Sequence, residues 1–108
     1  MKDGLYKVTY ETHNDYGWGL VHLSGGKLWG GDISIYYTGG YAVHGDQLTA
    51  RVKTQMHTDV PEIESVFGRA KNTIQLEGAC DETSARLTGR ADQSPGIEIR
   101  LTLEFLHD

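Results

Sequence analysis

Residues 30–53 read GGDISIYYTGGYAVHGDQLTARVK, and their pattern decides the fold class. Two glycine pairs, Gly30-Gly31 and Gly39-Gly40, bracket a segment rich in Ile and Tyr. Gly45-Asp46 supplies a tight turn, after which Leu48, Ala50 and Val52 alternate with Thr49, Arg51 and Lys53. Side chains on a strand point to opposite faces in turn, so such a run buries one face and wets the other. Glycine permits a sharp corner or a close backbone approach. The stretch therefore predicts strand, corner, strand, turn, strand, the unit of an antiparallel barrel or sandwich.

The same alternation recurs on both sides. Tyr6, Val8 and Tyr10 oppose Lys7, Thr9 and Glu11. In GWGLVHL, residues 17–23, Gly17 and Gly19 fall on the face opposite Trp18, and Ser24-Gly25-Gly26 predicts a tight hairpin into Lys27-Leu28-Trp29. Further on, Ile74, Leu76, Gly78 and Cys80 share one face, as do Ala85, Leu87, Gly89 and Ala91. Gln93-Ser94-Pro95-Gly96 predicts a turn before Ile97, Ile99, Leu101, Leu103 and Phe105, which face in against Glu98, Arg100, Thr102 and Glu104. Between these runs the period changes. Residues 58–68, TDVPEIESVFG, predict a short helix: Thr58 or Asp59 caps it, Pro61 suits its first turn and Gly68 ends it. Its expected role is a lid over one barrel end. Eight or nine short strands with turn signals every 8 to 12 residues or so indicate an all-β fold, closed to remove its edges.

Composition bounds the function. The 108 residues suit one domain, 1–108. Glycine supplies 14 of them, roughly twice its usual share of about 7%. A net charge of −5 without any basic run argues against a nucleic-acid partner. No apolar stretch approaches the ~20 residues of a membrane-spanning helix. The start, MKDGLYKVTY, lacks the apolar region of a signal peptide, and Cys80 is the single cysteine. Together they predict a reduced, cytoplasmic protein.

No motif carries chemistry. His13, His22, His44, His57 and His107 show no metal-ligand spacing, so neither metal nor cofactor is expected. Cys80, on an inward position, reads as a small buried hydrophobe. Asp32 follows two glycines, where its carboxylate can bond nearby backbone N–H groups and fix the corner Gly30-Gly31-Asp32, or instead meet a ligand. Tyr36, Tyr37 and Tyr41 are spread over both faces, so at least one of the adjacent pair points outward. They are the candidate partner or dimer surface, with His44 and Asp46 in the neighbouring hairpin. Small inward residues leave room for one small apolar ligand, unless Tyr6, Tyr10, Trp18 and Trp29 fill the interior. The candidate cavity residues are Val52, Leu76, Leu87 and Leu101.

Met1-Lys2-Asp3-Gly4 at the start, Gly17-Trp18-Gly19, and Gly30-Gly31-Asp32 followed by tyrosines resemble the GrlR-type negative regulators of bacterial type III secretion. The resemblance runs through most of the chain and is best over residues 1–66. It implies a calycin- or lipocalin-like up-and-down β-barrel of about eight strands that forms a homodimer. It also implies a non-enzymatic role, restraining a transcriptional activator by protein–protein contact. The prototype's acidic Glu-Asp-Glu-Asp run is replaced here by Val43-His44-Gly45-Asp46-Gln47, with a single acid. A small apolar ligand in the barrel is the alternative expectation.

Overall fold

A computed structural model describes residues 1–13, 16–60 and 71–108. Eight strands follow in order: β1 (Gly4–Glu11), β2 (Tyr16–Ser24), β3 (Lys27–Gly31), β4 (Ile35–His44), β5 (Gln47–Met56), β6 (Lys71–Cys80), β7 (Ser84–Ala91) and β8 (Ser94–His107). Each pairs antiparallel with its neighbour in sequence, and β8 pairs with β1, which closes an up-and-down barrel. Closure gives every strand a neighbour on both sides.

The inward set follows the period-two pattern. Tyr6 and Val8, Val21 and Leu23, Leu48 and Val52, Ile74 and Leu76, Ala85 and Leu87, and Ile99 and Leu103 are all buried. Outward positions of β5 to β8 are mostly charged or polar, including Arg51, Lys53, Glu77, Arg86, Arg90 and Arg100. A membrane barrel has the reverse arrangement, because each Arg or Lys facing the middle of a bilayer costs about 2–4 kcal/mol. Among the described residues no helix is long and apolar enough to cross a membrane.

Three local expectations need correction or placement. The chain does not turn a corner at Gly39-Gly40, because β4 runs unbroken through both residues. Gly39 is needed for close approach instead, since a β-carbon there would overlap the Arg51 carbonyl on β5. The last hairpin turns at Asp92-Gln93, while Ser94, Pro95 and Gly96 already belong to β8, with Ala91 paired to Ser94. Proline is tolerated there because the start of a strand does not need its missing N–H. The helix expected over residues 58–68 lies largely outside the described residues, and its described part, residues 58–60, is not helical.

One barrel end carries the hairpins after β2, β4 and β6 together with both termini. It is closed from within by Tyr6, which is 0% exposed and donates its hydroxyl to the Lys2 carbonyl at 2.6 Å. The Lys2 N–H in turn donates to the Glu82 carbonyl, so the N-terminal segment is tied across this end. The other end carries the connections after β1, β3, β5 and β7, and with them Asp32.

Candidate functional site

The site begins at the β3–β4 connection. Gly30 and Gly31 let the strands come close: a β-carbon at Gly30 would overlap the Leu20 carbonyl, and one at Gly31 would lie 2.8 Å from the Ile35 carbonyl oxygen. The Asp32 N–H donates to that Ile35 carbonyl at 2.9 Å. Its carboxylate turns back, so that Oδ1 accepts the N–H groups of Ser34 and Ile35, each at 2.9 Å. This is Asx-turn chemistry, in which a short acidic side chain stands in for a backbone acceptor.

The second oxygen does something local sequence does not show. Asp32 Oδ2 accepts the Tyr10 hydroxyl at 2.7 Å and the Tyr37 hydroxyl at 2.8 Å. The two rings reach it because the inner face of β2 carries no side chains beneath them. A β-carbon at Gly17 would sit 2.7 Å from the Tyr10 ring, and one at Gly19 would overlap the Tyr37 hydroxyl. Burial pushes the Asp32 pKa up. The hydrogen bonds from Ile35 N–H, Tyr10, Ser34 N–H and Tyr37 outweigh it and hold the carboxyl below its ordinary value. For Tyr37 the balance runs the other way: burial first, then Tyr10 and Asp32, push its phenol far above the ordinary tyrosine range.

The exit of β5 is pinned to the same corner. His57 Nε2 lies 2.8 Å from the Asp32 carbonyl oxygen, which can only accept, so Nε2 carries the proton and donates. His57 Nδ1 meets Thr58 Oγ1 at 2.7 Å. Ser34 accepts both backbone N–H groups of His57 and Thr58 and donates its hydroxyl to the Thr58 carbonyl. His57 thus bonds a backbone carbonyl rather than the Asp32 carboxylate, and the two do not form an acid–base pair. His22 faces outward and packs on Trp29, with ring centroids 4.7 Å apart. Cys80 is half-buried against the core. Among the described residues no group of three His, Cys, Asp or Glu side chains is placed to hold a metal ion.

Inside the barrel lies an apolar cavity of about 90 Å³. Val52, Leu76, Leu87 and Leu101 all line it, as do Ala50 and Ile99. Tyr10, Tyr37, Tyr41 and Thr54 are the lining residues that carry a polar group, and Thr54 is the cross-strand partner of Tyr37. Tyr10 and Tyr37 thus join the cavity wall to Asp32, which does not itself line the cavity.

The expected contact surface is not assembled. Tyr37 is 7% exposed and bonded to Asp32, so it belongs to the interior rather than to an interface. Tyr41 also turns inward and lines the cavity. Tyr36 alone of the three faces out, with its hydroxyl on Gln55. His44 and Asp46 are exposed, but they sit in the hairpin at the opposite end from Asp32. Nor do Trp18 and Trp29 fill the interior. They are 56% and 47% exposed on the outer wall of β2 and β3. Leu20 lies beside them, and the row Leu20–Gly31–Tyr36 runs across β2, β3 and β4 with a gap where Gly31 has no side chain. This outer apolar wall was readable from parity, because Trp18 and Leu20 alternate with inward Gly19 and Val21.

No family model matches the chain, and no curated protein matches it either.

Proposed function

We propose that the protein is a non-enzymatic, cytoplasmic binding barrel that acts as a homodimer on a protein partner, in the manner of the GrlR-type regulators it resembles. The observation that carries this reading is the outer wall formed by Trp18, Leu20, Trp29 and Tyr36 on three adjacent strands. Single exposed apolar side chains are ordinary on a protein surface, but two tryptophans, a leucine and a tyrosine on the outer face of three adjacent strands favour a contact site. The resemblance makes a transcriptional activator, as in the control of type III secretion, the class of partner. The test is native mass spectrometry and light scattering on the wild type and on a Trp18→Ala/Trp29→Ala variant. Loss of the dimer or of a co-purified polypeptide in the variant supports the reading. Unchanged association removes it.

A second reading is favoured by the cavity: the barrel carries or senses a small apolar ligand. Its volume of about 90 Å³ exceeds the roughly 10–15 Å³ that admits one water. It falls well short of the ~300–1,000 Å³ of pockets for drug-sized molecules. A slender chain fits this reading and a fused-ring ligand does not. Uptake of a short-chain alcohol such as n-butanol by the folded protein, read by isothermal titration calorimetry, tests it, and no uptake of any short-chain compound ends it.

A further inference from the structure

We infer that the outer wall takes a protein segment that is both acidic and apolar, one in which Asp or Glu alternates with Leu or Phe. This deepens the contact-surface reading, by naming the partner's chemistry, and rests on it.

The acids of the chain are unevenly placed. There are 15 Asp and Glu residues, yet none lies in β2, β3, β4 or β5. Of the described acids nearby, Glu11 is paired to Arg100 at 3.4 Å, Asp3 accepts the Gly25 N–H at 3.3 Å, and Asp32 is bonded to Tyr10 and Tyr37. Asp46 and Asp59 lie in the connections before and after β5, and Glu77 on β6 stands opposite Thr49. Lys27 on β3 and Lys53 on β5 point outward, exposed and with no ion-pair partner among the described residues. Arg51 shares the outer face of β5 with Lys53 and reaches Asp92 at 3.8 Å. Lys27 sits by the β2–β3 hairpin, at the barrel end opposite the connections after β1 and β5.

The register sets these charges beside the apolar wall. Trp29, Thr38 and Lys53 form one cross-strand row, and Lys27, Gly40 and Arg51 form the next. Lys27 is also two positions from Trp29 on the same face of β3, a spacing of about 7 Å. On β4 only Thr38 and Gly40 stand between the indole on one side and the cations of β5 on the other, so apolar area and positive charge flank a low floor.

Charge then separates the candidate occupants. A second copy brings the same cations and no acid, so self-pairing of the wall sets like charges together. A nucleic acid presents one phosphate per nucleotide and needs a line of cations, which two unpaired lysines on a chain of net charge −5 do not supply. An anionic membrane surface calls for a cluster of roughly 4–8 Lys or Arg. An acidic, apolar segment needs what this face has: area for its Leu and Phe, and two ammoniums for its carboxylates.

Trp18 and Trp29 are the two tryptophans of the chain, and both are exposed on the wall, so a blue shift of tryptophan emission reports burial there. The experiment titrates the full chain with a tryptophan-free peptide of repeating Asp-Leu-Asp-Phe, and with versions that carry Asn or Lys in place of every Asp. At low salt the Asp peptide is expected to shift the emission at concentrations about tenfold below the Asn peptide, the ratio that ~1.4 kcal/mol produces. The gap should close as salt rises, because both lysines are exposed. Lys27→Glu/Lys53→Glu, checked for folding by circular dichroism, should transfer the preference to the Lys peptide, and Lys27→Glu alone should narrow the gap. An Asn or Lys peptide that binds wild type as tightly as the Asp peptide overturns the acidic preference and leaves the contact-surface reading standing. No shift with any peptide, or a preference that both lysine variants leave unchanged, overturns the inference, and association of the Trp18→Ala/Trp29→Ala variant then judges the contact surface by itself. A shift that grows with protein concentration alone assigns the wall to a second copy. A larger shift with oligothymidylate or with phosphatidylglycerol vesicles assigns it to a nucleic acid or a membrane. Each of these also overturns the inference.

Discussion

Gly19 on β2 is the seat of the Tyr37 ring: any side chain at position 19 would occupy the space of the Tyr37 hydroxyl that bonds Asp32. The glycine is therefore a packing requirement, not a turn, and its φ is that of an ordinary strand residue. Gly19→Ala forces the ring off Asp32 or moves the strand. Overpacking of this kind costs about 1–3 kcal/mol. Urea denaturation should show that loss in Gly19→Ala, with Gly96→Ala as the control, because nothing lies within 4 Å of a β-carbon at Gly96. Equal stability of the two variants would mean that Tyr37 does not need the space.

Asp32 makes the fold sensitive to acid, and the sign follows from its depressed pKa. A carboxylate held below its unfolded value stabilises the native state fully above that unfolded value, about 3.9. The contribution is lost as pH falls from there through the folded value. Asp81 behaves alike, held down by the Thr83 and Ser84 N–H groups and the Ser84 hydroxyl, so the wild-type slope contains both residues. Asp32→Asn separates them. Its amide nitrogen cannot accept from either tyrosine, and two hydroxyls lose their acceptor, at about 1–3 kcal/mol for a buried group left unpaired. The variant should be less stable at neutral pH and show a shallower loss of stability below pH 4. A slope identical to wild type would assign the acid sensitivity elsewhere.

The strands were legible because their alternation is unbroken. In β8, Ile97, Ile99, Leu101, Leu103 and Phe105 share one parity, and the cavity set Val52, Leu76, Leu87 and Leu101 follows from the same rule applied to four strands. Reading a corner at Gly39-Gly40 broke the phase of β4. Carried through, Ile35, Tyr37, Gly39, Tyr41 and Val43 form one inward row, which places Tyr37 and Tyr41 inside at once. The bonds of Asp32 to Ser34 and Ile35 are local and lie within reach of sequence reasoning. Its bond to Tyr10 spans 22 residues and exists only because the barrel brings β1 and the β3–β4 connection to the same end. No local pattern encodes that meeting, although glycines at 17 and 19 on one strand face signal that something large must lie against them.

Alkaline titration should separate the tyrosines. Tyr37 is raised by burial, by Tyr10 and by Asp32, and Tyr6 is raised by burial and then by Tyr41 and nearby acids. In the unfolded chain both release their protons near pH 10. The folded state therefore keeps protons that the unfolded state gives up, and stability present below pH 10 declines as pH rises through the folded values. Ultraviolet difference spectra of the native protein should show a sub-stoichiometric phenolate signal near pH 10, with the remainder appearing only on unfolding. Tyr37→Phe should reduce that delayed component and leave the early one intact. A single titration of all six tyrosines near the ordinary value would show that Tyr37 is not held as described.

Filling the cavity should stabilise the barrel and silence it together. Ala50 lines the cavity from β5, between buried Leu48 and Val52. Valine adds methyl groups toward that space and suits a strand through its branched side chain. If the added atoms reach the cavity of about 90 Å³, they gain contact without overpacking, worth about 0.5–1 kcal/mol. For a domain near 100 residues that raises Tm by roughly 4 °C, since ~1 kcal/mol corresponds to about 4–8 °C. Differential scanning calorimetry of Ala50→Val measures the first effect, and isothermal titration calorimetry with n-butanol measures the second. A higher Tm with reduced n-butanol uptake ties the empty space to the binding site. A lower Tm would mean that the walls around Ala50 are already close-packed, and a higher Tm with full uptake would place the bound alcohol away from β5.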